Sequence, residues 1–501
     1  MKKKYHKTIA KNRRSIKRRL KRKNYTDQAE PMLKNMNIEY QVAERTRAIG
    51  YGGIGAVHTM VCKLGLDKAI NEQVKLLESH LPYHESDHVL NLTYNVLSGG
   101  TCLEDIERLR QDESYLNGLG AERIPDPTTA GDFLRRFAEA DLLALQEAIN
   151  VTRKKVWAQQ GAAFLAEGII DVDGTIAETS GECKGGMDMS YKGIWGYAPL
   201  LLTLANTKEE LYLVNRPGNK TSADGAAEWI DRGIELVGET FGKVWVRGDT
   251  DFSLTKNFDR WNERVSFVFG YDTKPNLVKL AEELPKQAWK RLHRPARYEV
   301  KTMVRERPEN VKEQVVKERE YQNIRLLSED VAEFDYRPGA CHQDYRMVVV
   351  RKNLSVEKGE AVLFDDIRYF FYITNDWEQP KEEIVFFAND RCNQENVIGQ
   401  LKSGVGALRM PSSDLLSNWA YMVIASLAWN LKAWYGLLTP DQTQGAAIVR
   451  MEFKRFLLSF VQLPCQIVNS GRRVVYRILA YRAELKLFLR TFEHLRKLRL
   501  T

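Results

Sequence analysis

The sequence predicts an α/β multidomain protein built on a mixed sheet, with a helical N-terminal region and a basic C-terminal one. Residues 164–175, FLAEGIIDVDGT, are a run of Val, Ile, Leu and small residues closed by Asp-Gly, the pattern of a buried strand entering a turn. Residues 243–253, KVWVRGDTDFS, repeat it. Between the two lie expected strands at 197–205 and 210–215, then a helix over 222–241. Three strands, a helix and a further strand describe a mixed sheet, and 501 residues exceed what one core normally holds.

Each element has a local reason. The helix over 222–241 spaces Ala226, Trp229, Ile230, Ile234 and Leu236 along one face, with Ser222 as the expected N-cap. The first strand ends on Asp171 and Asp173, the second on Asp249 and Asp251. Residues two apart on a strand share a face, so either member of each pair could look into a pocket. A single Asp-Gly end is ordinary turn chemistry. Two acidic ends on one sheet, without basic partners, point instead to a metal.

Residues 382–408 are helical in composition as far as Gly404 and Gly406. Within them Arg391, Glu395 and Lys402 are spaced by four and seven and share a helical face. Taken alone, that spacing also fits an exposed i, i+4 ion pair.

The order Asp, Asp, Glu, with the Glu in an R-x3-E-x6-K frame, resembles the DDE transposases of bacterial insertion sequences. The resemblance is to the branch with the YREK signature on an RNase H-like fold. DVDGT, GECKGGMDMSYKG, RGDTDFS and NQENVIGQLK are similar, more narrowly, to Insertion Sequence family thirteen-eighty, over residues 91–431. The resemblance implies Asp173, Asp249 and Glu395 as catalytic and metal-binding acids, and Arg391 and Lys402 as clamps on a flanking phosphate. It also implies excision through a DNA hairpin and favours a DNA contact for Lys192. The signature Tyr falls at Ala388, so its phosphate or stacking contact is absent or comes from elsewhere.

On that pattern residues 1–37 form a basic arm without structure away from DNA, and 38–160 a helical DNA-binding domain. The RNase H-like core occupies 161–273 and 374–440, interrupted by a β-rich insertion at 274–373, and 441–501 form the basic C-terminal region. In the helical part, segments 86–97 and 103–111 and a helix capped by Thr128 or Thr129 are expected. Short helices with Arg135 and Arg136 exposed suit a helix-turn-helix-like DNA reader or plain helical packing. The insertion carries expected strands at 297–304, 345–351 and 368–374. The end of the chain has an expected hairpin at 469–471 and a basic helix from 480, serving DNA or a second subunit.

Charge divides unevenly. Residues 1–26 hold thirteen Lys or Arg and no acid, residues 445–501 carry +9, and the net +9 of the chain leaves −13 for the middle. Basic ends on an acidic centre suit a protein that grips a polyanion and holds metals between. Arg13, Arg14, Arg18 and Arg19 in KNRRSIKRRLKRK are the expected polyanion contacts. The six cysteines form no CxxC pair, which fits a reducing cytoplasm and argues against a zinc ribbon. The N-terminus lacks a secretory apolar core, and the most apolar helix, 419–429, is too short to span a bilayer, so no membrane role is expected. His80, His84 and His88 recur every four residues, but Pro82 disfavours a continuous helix that would gather them on a metal.

An oxygen-only ligand set fits Mg²⁺ or Mn²⁺. Two such ions held by three carboxylates would serve hydrolysis at the transposon end, followed by attack of the freed 3′ hydroxyl on the second strand or the target. The partners are then the terminal inverted repeats and target DNA, bound by at least a homodimer. An RNase H-like nuclease or resolvase that cuts without joining, and a non-catalytic DNA-binding descendant, are the rival readings.

Overall fold

The computed structural model describes residues 3–21, 46–181, 183–294, 322–358, 361–471 and 473–499. The strand expected at 297–304 and the arm beyond residue 21 lie outside these. Helix α1 (Lys3–Lys21) precedes a helical region that includes α2 (Glu85–Leu97) and α3 (Glu139–Trp157). The sheet opens with β1 (Glu167–Gly174), β2 (Leu200–Leu204) and β3 (Glu209–Val214). After α4 (Ala226–Gly238) come β4 (Lys243–Gly248) and β5 (Ser266–Tyr271). The short β6 (Lys290–Arg291) and the long β7 (Gln322–Tyr336), β8 (Tyr345–Lys358) and β9 (Ala361–Thr374) follow. Helices α5 (Lys381–Asn389), α6 (Asn393–Gly399), α7 (Leu415–Leu437) and α8 (Leu485–Lys497) complete the frame.

All nine strands belong to one mixed sheet, in the order β6-β7-β8-β9-β5-β4-β1-β2-β3. β1, β4 and β5 are mutually parallel and the outer pairings antiparallel. The strands of residues 322–374 do not fold apart from this sheet: β9 pairs with β5 through Phe371↔Tyr271 and prolongs it.

One flank is sealed by α3 and α7. β3 begins with two fully buried acids, Glu209 and Glu210, and a buried charge requires partners. Arg153 Nε of α3 donates to Glu209 Oε1 at 3.0 Å, and the indoles of Trp157 and Trp434 donate to the same carboxylate at 3.0 and 2.7 Å. Ser426 and Asn430 of α7 donate to Glu210 Oε2 at 3.0 and 3.2 Å. α7 is buried almost throughout, so the apolar run at 419–429 is core. No helix among the described residues is long and apolar enough to cross a membrane.

Several local expectations shift. Asp126, not Thr128 or Thr129, caps its helix, accepting the Thr129 N–H at 2.9 Å with Pro127 in the first turn. The helix expected from Ser222 starts at Ala226, because Gly225 adopts φ 69°, a turn that a side chain would resist. Residues 382–408 are not one regular helix: a 3-10 turn, Asp390–Cys392, separates α5 from α6, and a π turn, Gln400–Val405, follows α6. The basic segment Lys3–Lys21 is helical, and Ile9 within it is buried. The expected hairpin forms from Cys465–Ser470 and Arg473–Ile478, with Ala48–Ile49 paired alongside.

Candidate active site

The parallel register of β1 and β4 sets the geometry. Their last shared pair is Asp171↔Arg247, so Asp173 and Asp249 each stand two residues further on, where the strands part. Asp249 is held there as the cap of the 3-10 turn Thr250–Phe252, its Oδ1 accepting the Asp251 N–H at 3.1 Å. Asp251 itself is exposed.

Asp171 shares the face of Asp173 but has a different fate. Its carboxylate takes two bonds from Arg247, Nε at 2.7 Å and Nη2 at 3.0 Å, with both groups buried. Arg247 also donates to the Phe387 carbonyl at 2.8 Å and lies over the Phe387 ring at 4.6 Å. Asp171 is thereby a structural acid that fastens α5 to the sheet.

Arg391 reaches Asp173 Oδ2 at 3.2 Å with Nη1 and Asp249 Oδ2 at 3.9 Å with Nη2. Burial, against the pull of Arg391 and with the push of Asp249, raises the Asp173 carboxyl to about 6. Asp249 is also raised, by burial against Arg391 and with Asp251. Burial would lower the Arg391 guanidinium, but Asp173 and Asp249 outweigh it and hold it above its ordinary value. Two carboxylates that ionise reluctantly around one cation are a site that rewards added positive charge.

Glu395 lies on α6, exposed, beside a docked neighbour. Gln394 Nε2 donates to the Asp171 carbonyl at 3.0 Å and the Leu201 carbonyl at 3.2 Å, which seats α6 on β1 and β2. Lys402 Nζ donates to the Ile176 carbonyl at 2.9 Å, just beyond β1. The segment from Arg391 to Lys402 thus crosses the acidic end of the sheet. The oxygens of Asp173, Asp249 and Glu395 do not all come within 4.8 Å of one another; among the described residues His80, His84 and Glu85 alone form such a group. The acid set nonetheless fits divalent cations, because its donors are all oxygens and both aspartates carry an uncompensated burial penalty.

Beside Asp173 opens a cavity of ≈ 340 Å³ lined by Lys192, Lys220 and Lys402 with Tyr191 and the Gly174 turn. Lys402 is lowered by burial and by Lys192, against Asp173. Arg14 and Arg18 of α1 line a second basic cavity, ≈ 720 Å³, with Lys7, Lys11 and Lys486 of α8. Arg19 is exposed and Arg13 half-buried. Arg135 and Arg136 are exposed, Arg135 pairing with Asp132. Ala388 packs into an apolar cluster with Trp245 and Phe387, which leaves no phenol at that position.

Sequence reasoning missed Arg247, Gln394 and Lys220. Arg247 was detectable: a guanidinium in the middle of the apolar run VWVRG demands a buried acid, and β1 offers one in register. Lys220 has no such signal, since only the fold carries it to Lys402.

Paired acids at adjacent parallel strand ends, beside a cavity lined by lysines, set a donor group for divalent cations next to a surface that attracts anions. The chain belongs to the family described as Transposase DDE domain group 1, whose model matches residues 46–500. Among solved structures it is similar to a piggyBac transposase synaptic complex with hairpin DNA, at 11% identity and a TM-score of 0.33, covering 82% of this chain and 84% of that one. No curated protein matches it.

Proposed function

We propose that the protein is a cut-and-paste DNA transposase of the YREK branch, in Insertion Sequence family thirteen-eighty. It acts on the terminal inverted repeats of its own element, and its catalytic core is RNase H-like. Three antiparallel strands followed by two parallel ones, in spatial order β3-β2-β1-β4-β5, support that core. The observation that carries the function is the pair Asp173 and Asp249, side by side past the last shared pair of β1 and β4.

In this reading Asp173, Asp249 and Glu395 hold two Mg²⁺ or Mn²⁺ ions, which would activate water and stabilise the leaving oxygen. Arg391 neutralises the two aspartates in their absence and is free to turn to a flanking phosphate in their presence. Lys402, Lys192 and Lys220 grip the backbone beside the cut. Arg13, Arg14, Arg18 and Arg19 on α1, with the C-terminal region, hold DNA through phosphates, and Arg135 and Arg136 face it from the 38–160 region. Residues 274–373 are the β-rich insertion of the 161–440 core. The working form is a dimer on paired DNA ends in the bacterial cytoplasm, and excision proceeds through hairpin ends.

The test uses purified protein and linear DNA carrying the repeats that flank its gene, with Mg²⁺ or EDTA, for wild type and Glu395→Gln. The expected result is metal-dependent cutting at the repeat boundary in wild type alone, and joining of pre-cut 3′ ends to target DNA. Binding without cuts under any metal overturns the enzyme reading, and cuts without joining make it a nuclease.

A further inference from the structure

The segment between Leu66–Gln73 and α2 brings two imidazoles and a carboxylate together far along the chain from the catalytic acids. We propose that His80, His84 and Glu85 form a zinc site that fastens residues 74–84 to the first turn of α2. The ligand atoms of all three lie within 4.8 Å of one another, and His80 Nε2 is 3.1 Å from Glu85 Oε2. Tetrahedral zinc with bonds of about 2.0–2.2 Å places its donor atoms roughly 3.3–3.5 Å apart, so small side-chain movements complete the set. The His80 and His84 rings already stack at 4.1 Å.

Glu85 gives the site its anchor. Its side chain is 1% exposed. Oε1 accepts the N–H groups of Leu76 and Leu77, each at 3.1 Å, which leaves Oε2 turned toward His80. The two carboxylate oxygens are thereby divided, Oε1 to the backbone and Oε2 to the imidazole. His88 takes no part: it stacks on Phe133 at 4.3 Å inside the helical region, and burial pushes it down to about 4. The every-four-residue histidine pattern is thus broken, with Glu85 standing where His88 would have completed it. Two imidazoles and one carboxylate, with a fourth position open to solvent at the half-exposed His80, are a donor set suited to zinc, unlike the all-oxygen set at the sheet end. The metal would brace α2, whose Thr93 hydroxyl bonds the Ile424 carbonyl of α7 at 3.1 Å.

The test is metal analysis of the full chain after stripping and dialysis against Zn²⁺, with Co²⁺ as a spectroscopic substitute. One zinc per chain is expected in wild type and in the Asp173→Asn/Asp249→Asn double variant, which removes the catalytic acids as ligands. His80→Gln and His84→Asn should weaken binding by no less than the roughly 10–100-fold that loss of even an outer partner costs, and should abolish the tetrahedral Co²⁺ bands. Asn can still cap α2, so circular dichroism of His84→Asn should match wild type. No zinc in wild type at micromolar concentrations, or zinc retained equally in both histidine variants, overturns the proposal. Either result leaves the catalytic reading untouched.

Discussion

Asp171 and Asp173 lie two residues apart on one strand, point to one face, and live in opposite circumstances. Asp171 is met in register by Arg247 and closed over by α5 and α6. Asp173 stands past the last shared strand pair, where its cation comes from Arg391 on a 3-10 turn and is divided with Asp249. The first arrangement spends a charge on holding helices to a sheet; the second keeps charges under-compensated. In this protein the split between a compensated acid and an under-compensated one is decided by where a parallel ladder ends.

Breaking the structural member should have the largest effect. Arg247→Ala strands a buried carboxylate, so a loss of about 3–5 kcal/mol is expected, read as a large fall in melting temperature by calorimetry. Asp171→Leu with Arg247→Met should recover most of it, and a double variant as unstable as the single would end the comparison. Asp173→Asn should do the reverse and stabilise the fold. The Asp173 carboxyl titrates near 6 when folded against 3.8 ordinarily, so wild type loses stability as pH rises between those values. The gain from Asn is therefore absent below about pH 4 and complete above about pH 6, at about 1–3 kcal/mol, while cutting is lost. Equal melting temperatures at pH 7 would show Asp173 to be as well compensated as Asp171.

The smallest effect sharpens the role of Arg391. Metal ligation needs both aspartates ionised, so cutting by wild type should fall as pH drops through about 6. Arg391 lowers both carboxyls, so Arg391→Ala should move this acid limb to higher pH in a cleavage profile. A profile that only drops in height, without moving, would confine Arg391 to phosphate contact.

Much of this was legible in the chain. The strands at 167–174, 209–214 and 243–248 are runs whose burial dictates their composition, and the acids at their ends fall where expected. Strand pattern alone left Asp171 and Asp173 open, because the choice depends on the register between strands some seventy residues apart, and only the family resemblance favoured Asp173. The path of residues 382–408 was hidden for another reason: a period of 3.6 assumes uniform turns, and the 3-10 and π turns around α6 change the phase of Arg391 and Lys402 against Glu395. The long β7 has charged residues at many positions and no clean alternation, so only its pairing with β8 makes it a strand.

The carboxylates of Glu209 and Glu210 also set a schedule. Their indole, hydroxyl and amide donors on α7 follow by as many as 225 residues, the separation of Glu209 from Trp434. At about 5–20 residues per second, a ribosome needs roughly 10–45 s to deliver them. Until then the β3 edge of the sheet displays buried-type acids and bare apolar surface, so a message cut short before α7 yields no competent enzyme. Only a chain made through α7 can bury both carboxylates with their donors.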